Sequence, residues 1–413
     1  MPRRLKILIS AYACSPIRGS EPGVGWGFIT ALAKYHDFWV ITEKEKFQTE
    51  IEEYLQENEK FADKVNFYFI QKKRNRPLRK IWPPSYYWYY RKWHWRAYKK
   101  AQQLQNEVGF DIVHQLTMVG FREPGYLWKL GIPFVWGPVG GMGLFPLRFW
   151  ADIGLKGYAY YLGYNLVNIL QMRYSRRARL AARFAKLITA TPENKKLATQ
   201  YWQVESEVIS EVGLPTQACV TAPVRRTDGE PLNIIWSGQH IARKALGLGL
   251  KALSVLPGNV GYRLHILGRG AMTNHWQHLA SKLGIVDRCI FYGWLPRKQA
   301  LGIMQTGHLM LITSLRDLTS TVTVEALAMG LPVICLDHCG FSHVINETCG
   351  FKVPVVNPSQ VAGDIASRLM TLYGDEALRY KLANGALQRA MDFNWDKKAL
   401  AVDKIYRQAL IGK

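Results

Sequence analysis

Twice along this chain, short runs rich in β-branched and aromatic residues alternate with longer amphipathic stretches, and a turn-rich segment separates the two series. That rhythm predicts parallel sheets covered by helices, because a strand that returns parallel to its predecessor needs a helical crossover. In the first series the strand candidates are 5–11, 37–42, 65–70, 111–114, 133–136 and 186–190, with helices over 24–35, 45–57, 91–107 and 192–201. In the second they are 233–237, 262–267, 289–292, 308–312 and 332–336, with helices over 244–256, 273–283, 297–305, 322–329 and 358–373 and a last one over 396–411. The expected organisation is an N-terminal domain over 1–212, a linker over 213–231, a C-terminal domain over 232–392, and a terminal helix over 393–413 that packs back on the N-terminal domain. At 413 residues the chain is long enough for two cores of ordinary size. Doubly wound sheets bind ligands beyond the carboxyl ends of their strands, so a cleft facing both sheets is the expected site.

Charge is the second constraint. The net charge of +23 is concentrated in two places. Residues 72–100 hold eleven Lys or Arg and nine Trp or Tyr with no acid, and residues 144–186 hold eight basic residues against Asp152 alone. Cations interleaved with aromatic rings suit the headgroup layer of an anionic membrane. They also suit single-stranded nucleic acid, although no nucleic-acid motif accompanies them. A solvated helix face with its aromatics in the core is the plainer alternative. The start, MPRRLKILISAYACSP, reads as a first strand running into a turn and not as a signal peptide. No apolar stretch reaches spanning length. The six cysteines lack metal-ligand spacing and are expected to be reduced thiols of a cytoplasmic protein.

The stretch 313–334, TSLRDLTSTVTVEALAMGLPVI, carries the chemistry. A strand ending near Thr313 leads through a polar loop to a helix starting near Val322. The loop should present free N–H groups at about Ser320 to Thr323, Thr321 among them, to an anion such as phosphate. Glu325, expected in the first turn, and Asp317, on the loop, could accept hydrogen bonds from sugar hydroxyls. Alternatively Glu325 is a helix N-terminal acid and Asp317 a turn residue.

An acid, seven intervening positions, then Glu-Ala-x-Ala-x-Gly-x-Pro-Val resembles the donor-site motif of family 4 glycosyltransferases, which have the GT-B fold and retain anomeric configuration. The resemblance implies two Rossmann-like domains facing a central cleft and a nucleoside diphosphate sugar as co-substrate, with no other cofactor and no metal. It assigns Glu325 to the ribose hydroxyls and Asp317, where the family has Glu, to the sugar. In IWSGQHIARKALG (235–247), which holds Gly238, it assigns Lys244 to the donor diphosphate, with Arg243 beside it as partner; the family's preceding Arg is Gln239 here. HILGRG, with Gly268, resembles the turn under the nucleotide, and FYGWLP, with Leu295, the segment that reads the base. In DIVHQLT, His114 matches the first of two strand-end histidines, and Leu116 stands at the second. In GSEPGVGWG (19–27) after the first strand, Gly23 and Gly25 would let backbone amides approach phosphate or sugar, although a dinucleotide-binding turn is the rival.

The expected activity is transfer of a sugar to a lipid-linked or growing polysaccharide acceptor, by a protein peripheral to the inner face of the membrane. A sugar-nucleotide epimerase or phosphorylase is a second reading, although no lysine stands out for pyridoxal phosphate. A non-catalytic membrane- or RNA-binding protein on a degenerate scaffold is a third. Asp317, Gln239 and Leu116 support it best.

Overall fold

The computed structural model describes residues 3–73, 76–82, 85–215 and 218–411. Arg74, Asn75, Pro83 and Pro84 of the basic aromatic stretch, and residues 216–217 of the expected linker, lie outside the described residues. The chain forms two α/β units, each built on a parallel sheet.

The first unit comprises Met1–Met142, Ile169–Gly213 and Trp395–Lys413. Its sheet contains β1 (Lys6–Ala11), β2 (Asp37–Glu43), β3 (Val65–Ile70), β4 (Ile112–Thr117), β5 (Phe134–Val139), β6 (Ala185–Thr189) and β7 (Ser206–Val208), in the order β3-β2-β1-β4-β5-β6-β7. From Ile7 onward every residue of β1 is buried, as a strand covered on both faces must be. The helix Pro192–Trp202 starts where the sequence supplies a cap and a proline: Thr191 accepts from the Asn194 N–H, and Pro192 takes the first turn, where its missing donor costs nothing. The terminal helix Trp395–Ile411 belongs to this unit.

The second unit comprises Gly143–Asn168 and Leu214–Asn394. Its sheet contains β8 (Leu232–Ser237), β9 (Tyr262–Leu267), β10 (Cys289–Gly293), β11 (Leu309–Ile312), β12 (Val333–Leu336) and β13 (Gly350–Val353), in the order β10-β9-β8-β11-β12-β13. The chain therefore reverses its direction of winding between β8 and β11. Crevices for ligands form at such a point.

Two expected boundaries are corrected. Residues 143–168, assigned by sequence to the N-terminal domain, join the second unit, because Phe145, Phe149 and Tyr161 lie in the core beside Leu246 and Leu250, and Lys251 pairs with Asp152 at 2.6 Å. The segment read as a linker is docked over much of its length: the Val220 N–H donates to the Ala328 carbonyl, and Arg226 pairs with Glu376. None of the six cysteines is in a disulfide. Among the described residues no helix is long and apolar enough to cross a membrane.

Candidate functional site

The second unit gathers the polar groups singled out by sequence at the carboxyl edge of its sheet. β8 continues into a loop and a single turn at Ala242–Lys244, closed by Ala245 in the left-handed region (φ 46°). β11, its neighbour, continues into the loop 313–320. The two loops are tied together. Thr313 Oγ1 donates to the Lys244 carbonyl at 2.8 Å, the Leu315 N–H to the Arg243 carbonyl at 2.8 Å, and Arg243 Nη1 to the Arg316 carbonyl at 2.7 Å.

At their junction Lys244 Nζ sits 2.6 Å, and Arg243 Nη1 3.1 Å, from the same oxygen of Asp317. Burial pushes the Asp317 carboxyl up, but the two cations outweigh burial and hold it below the ordinary carboxylate value. Asp317 thus keeps two positive charges side by side that would otherwise repel each other in a partly dehydrated place. The turn at 339–340 braces the loop: the Asp317 N–H meets Cys339 Sγ, and the Gly340 N–H donates to the Leu318 carbonyl.

The loop ends at Ser320, whose φ of 64° is strained for a residue with a side chain. The helix Thr321–Ala328 follows. Among the described residues the N–H groups of Thr321 and Val322 meet no protein acceptor, while that of Thr323 donates to the Ser320 carbonyl. Of the donors expected from Ser320 to Thr323, that of Thr323 is therefore engaged within the turn. Glu325 is also displaced from expectation, standing in the second turn. Its carboxylate is mostly buried and accepts from Arg297 Nη2 at 2.6 Å. Burial raises Glu325 above the ordinary value and Arg297 pulls it back.

The glycine turns sit beside this cluster. The Gly238 N–H donates to the Leu267 carbonyl, and a Cβ on Gly238 would touch the Lys244 side chain at 3.5 Å. Gly268 has a φ of 120°, and a side chain there would strike the Gly238 carbonyl, so only glycine fits. Leu295 is half-buried on the turn between β10 and the helix Arg297–Gln305. Gln239 is exposed and His240, next to it, is buried on Thr273.

His114, Gly23 and Gly25 belong to the first unit, and the structure corrects their assigned roles. His114 is fully enclosed. Its Nδ1 meets the Tyr406 hydroxyl at 2.7 Å and its Nε2 the Gly137 carbonyl at 2.8 Å. Burial lowers it to about 4, so it is neutral, with both nitrogens engaged by the protein. Gly23 and Gly25 lie within the helix Ser20–Leu32 and not on a turn before it; a Cβ at Gly25 would press on the Ala13 carbonyl, and one at Gly23 on that of Arg18. Their bareness serves packing within the unit.

Two residues that sequence reading passed over stand out. Arg297 holds Glu325 but follows the motif segment by one position, so only the fold shows its partner. Glu21 lies where the helix after β1 meets the loop after β4, the point at which the first sheet reverses. Its carboxylate accepts from the Val119 N–H at 2.5 Å, and burial, with the nearby Glu211 carboxylate, raises it to about 7. Among the described residues no cluster of His, Cys, Asp and Glu is placed to hold a metal ion.

Residues 222–388 match the family model of the glycosyl transferases group 1, a span within the second unit that covers less than half of the chain. The D-inositol 3-phosphate glycosyltransferase of Acidothermus cellulolyticus is 29% identical over 206 residues, 48% of this chain and 43% of that protein. The match thus spans under half the length of that relative. Over 99% of the chain the fold is similar to sucrose-phosphate synthase from Thermosynechococcus elongatus, with a TM-score of 0.65, 16% identity and all of that chain covered. Anabaena HepE, solved in complex with UDP, has a TM-score of 0.61 and 15% identity over 98% of this chain and all of that one. The fold is thus two Rossmann-like parallel-sheet units of the kind found in GT-B glycosyltransferases.

Proposed function

We propose that this protein is a retaining, metal-independent glycosyltransferase of family 4 type that takes a sugar from a nucleoside diphosphate sugar. One observation carries the reading: Lys244 and Arg243 are gathered on Asp317 where β8 and β11 part, on loops tied to each other by hydrogen bonds. Two cations fixed in advance can offset the charge that develops on a departing diphosphate without a metal, since no reorganisation is needed at the moment of reaction. The free N–H groups of Thr321 and Val322, at the positive end of their helix, add donors for the same oxygens. Glu325, in the helix's next turn, is the ribose acceptor. The group 1 match over this unit supports that assignment. With the anomeric centre turning oxocarbenium-like, the acceptor hydroxyl attacks from the face the diphosphate leaves. The proton of the acceptor passes to the leaving phosphate.

For the acceptor we propose a lipid-linked or polysaccharide hydroxyl at an anionic membrane on the cytoplasmic side. The helix Ser85–Val108 supports this: it buries Tyr90, Trp93 and Tyr98 but leaves Tyr87, Trp88 and Trp95 exposed, with Lys92 3.6 Å over the Trp88 ring. Of its eight Trp and Tyr, three are thus core, three face outward among cations, and Tyr86 and Tyr89 are half-buried.

The relative solved with UDP makes UDP the first nucleotide to try, with ADP and GDP beside it. One nucleoside diphosphate should raise the melting temperature, by about 2.7 kcal/mol of added stability at 100 times its dissociation constant. Glu325→Gln should weaken that nucleoside diphosphate roughly tenfold or more, the worth of a charge-assisted hydrogen bond, while leaving pyrophosphate unaffected. Equal nucleotide affinity in parent and variant would remove the ribose assignment. Transfer abolished by a chelator would remove metal independence.

A further inference from the structure

The helix Trp150–Tyr174 exposes an aliphatic face to the outside. After a break at Gly154 (φ 70°) it presents Tyr161, Asn165, Asn168 and Met172 inward, at the spacing of one helix face. Asn165 is buried with its amide spanning Phe145, accepting from the N–H at 2.9 Å and donating to the carbonyl at 2.8 Å. Asn168 is fully buried and donates to the Gly143 carbonyl. The outward face carries Leu155 at 76% exposure, Leu162 at 47%, Leu166 at 58% and Leu170 at 44%, with Tyr160 and Tyr174 exposed toward either end. The inward face mixes Asn165 and Asn168 with core residues such as Tyr161, while the outward face is aliphatic where a water-facing helix would be polar. A contiguous apolar strip of this kind marks a surface meant to be covered.

Charge says by what. From Ile153 to Pro192 the sequence has no acid, while Lys156, Arg173, Arg176 and Arg183 are exposed along it and just beyond. A protein partner of mixed charge has no use for a one-sided fringe; an anionic lipid surface does, and tyrosines suit its headgroup layer. From Leu155 to Tyr174 the helix is about 30 Å long, as judged from its rise per residue. We propose that this helix lies in the plane of an anionic bilayer, with Leu155, Leu162, Leu166 and Leu170 sunk below the headgroups. The inference adds to the membrane half of the proposed function and is independent of its sugar chemistry. It differs from attachment by Ser85–Val108 in kind, because apolar insertion survives salt and charge attraction does not.

The test is co-sedimentation of the full chain with phosphatidylcholine vesicles containing one quarter phosphatidylglycerol, at about 0.1 M and about 1 M NaCl, where screening lengths are roughly 10 and 3 Å. The parent should stay bound at high salt, and Leu162→Ser combined with Leu166→Ser should lose at least tenfold in partitioning there. Both positions are exposed, so the melting temperature should hold; if it falls, Leu155→Ser at the most exposed position replaces the pair. Replacing Arg91, Lys92 and Lys99 by Gln should reduce binding at low salt only, and an unchanged result there counts against the other helix alone. The proposal is overturned if high salt releases the parent completely or if the serine variants bind as the parent does. It is also overturned if light scattering shows a lipid-free dimer that the serine changes split, since the strip would then cover a second copy.

Discussion

At the scale of single residues, the shared carboxylate of Asp317 changes what a lysine substitution can report. Lys244 is buried against it, so Lys244→Ala strands a carboxylate that burial already disfavours. Breaking one half of a buried pair costs about 3–5 kcal/mol. Lys244→Ala should therefore lower stability in urea titration by roughly that amount, with Arg243 offsetting part of it. Adding Asp317→Asn should recover most of the loss, because no orphaned charge remains. Nucleotide affinity should stay low in the double variant if Lys244 serves the diphosphate; a double variant with both stability and affinity restored would make the lysine purely structural. The sequence made these three residues legible as types at a spacing, but not as a contact. About seventy positions separate Lys244 from Asp317, and only the adjacency of β8 and β11 joins them. For the same reason Arg297 was invisible, and His114 was read as a site residue although Tyr406, nearly three hundred positions away, encloses it.

At the scale of elements, the strands of both series were legible because buried parallel strands are near-continuous apolar runs. The exceptions are β7, three residues long, and β13, GFKV, which offer too little pattern. The helix Trp150–Tyr174 was missed because its exposed face carries leucines while its buried face mixes Asn165 and Asn168 with Tyr161 and Met172, so the polar-outside, apolar-inside contrast of an ordinary helix is absent. Glycines inside helices test such readings with opposite signs. In Ser20–Leu32, Gly27 packs directly on the Trp395 indole, and a Cβ there would overlap the ring. Gly163, in Trp150–Tyr174, has nothing within 4 Å of where its Cβ would lie. Alanine is the better helix former by about 1 kcal/mol at either place. Gly163→Ala should therefore stabilise by roughly 0.5–1 kcal/mol, whereas Gly27→Ala should destabilise by about 1–3 kcal/mol through overpacking. Urea unfolding of the two variants checks the pair; a stabilising Gly27→Ala would show that the terminal helix yields at Trp395.

At the scale of the whole molecule, the two units share a liability to acid. Burial lowers His94 to about 3 and His114 to about 4 in the first unit, and His240 and His308 to about 4 in the second. An unfolded histidine takes its proton near 6.5, so between that pH and 4 the unfolded chain binds more protons than the folded one. The stability these groups contribute is thus complete above pH 6.5 and is lost as pH falls toward 4, at up to about 1.4 kcal/mol per pH unit for each. Glu21, raised to about 7, acts the opposite way, since its folded form holds a proton that the unfolded one has released above pH 4.5. Glu325, also raised, acts in the same sense as Glu21, but burial lowers His36 and His265 besides the four histidines above, and the two carboxyls do not cancel them. The melting temperature should therefore fall steadily below pH 6.5. The net charge of +23, already large, grows in the same range and would also weaken a compact state. Salt separates the two causes. Repulsion between exposed charges is screened at about 0.5 M, whereas the price of charging an enclosed imidazole is set by its surroundings and is not. If buried histidines dominate, the slope of melting temperature against pH should persist at high salt. It should flatten in His114→Gln and in His308→Gln, measured against each variant's own value at pH 7.5. A slope that vanishes with salt would assign the acid sensitivity to surface repulsion.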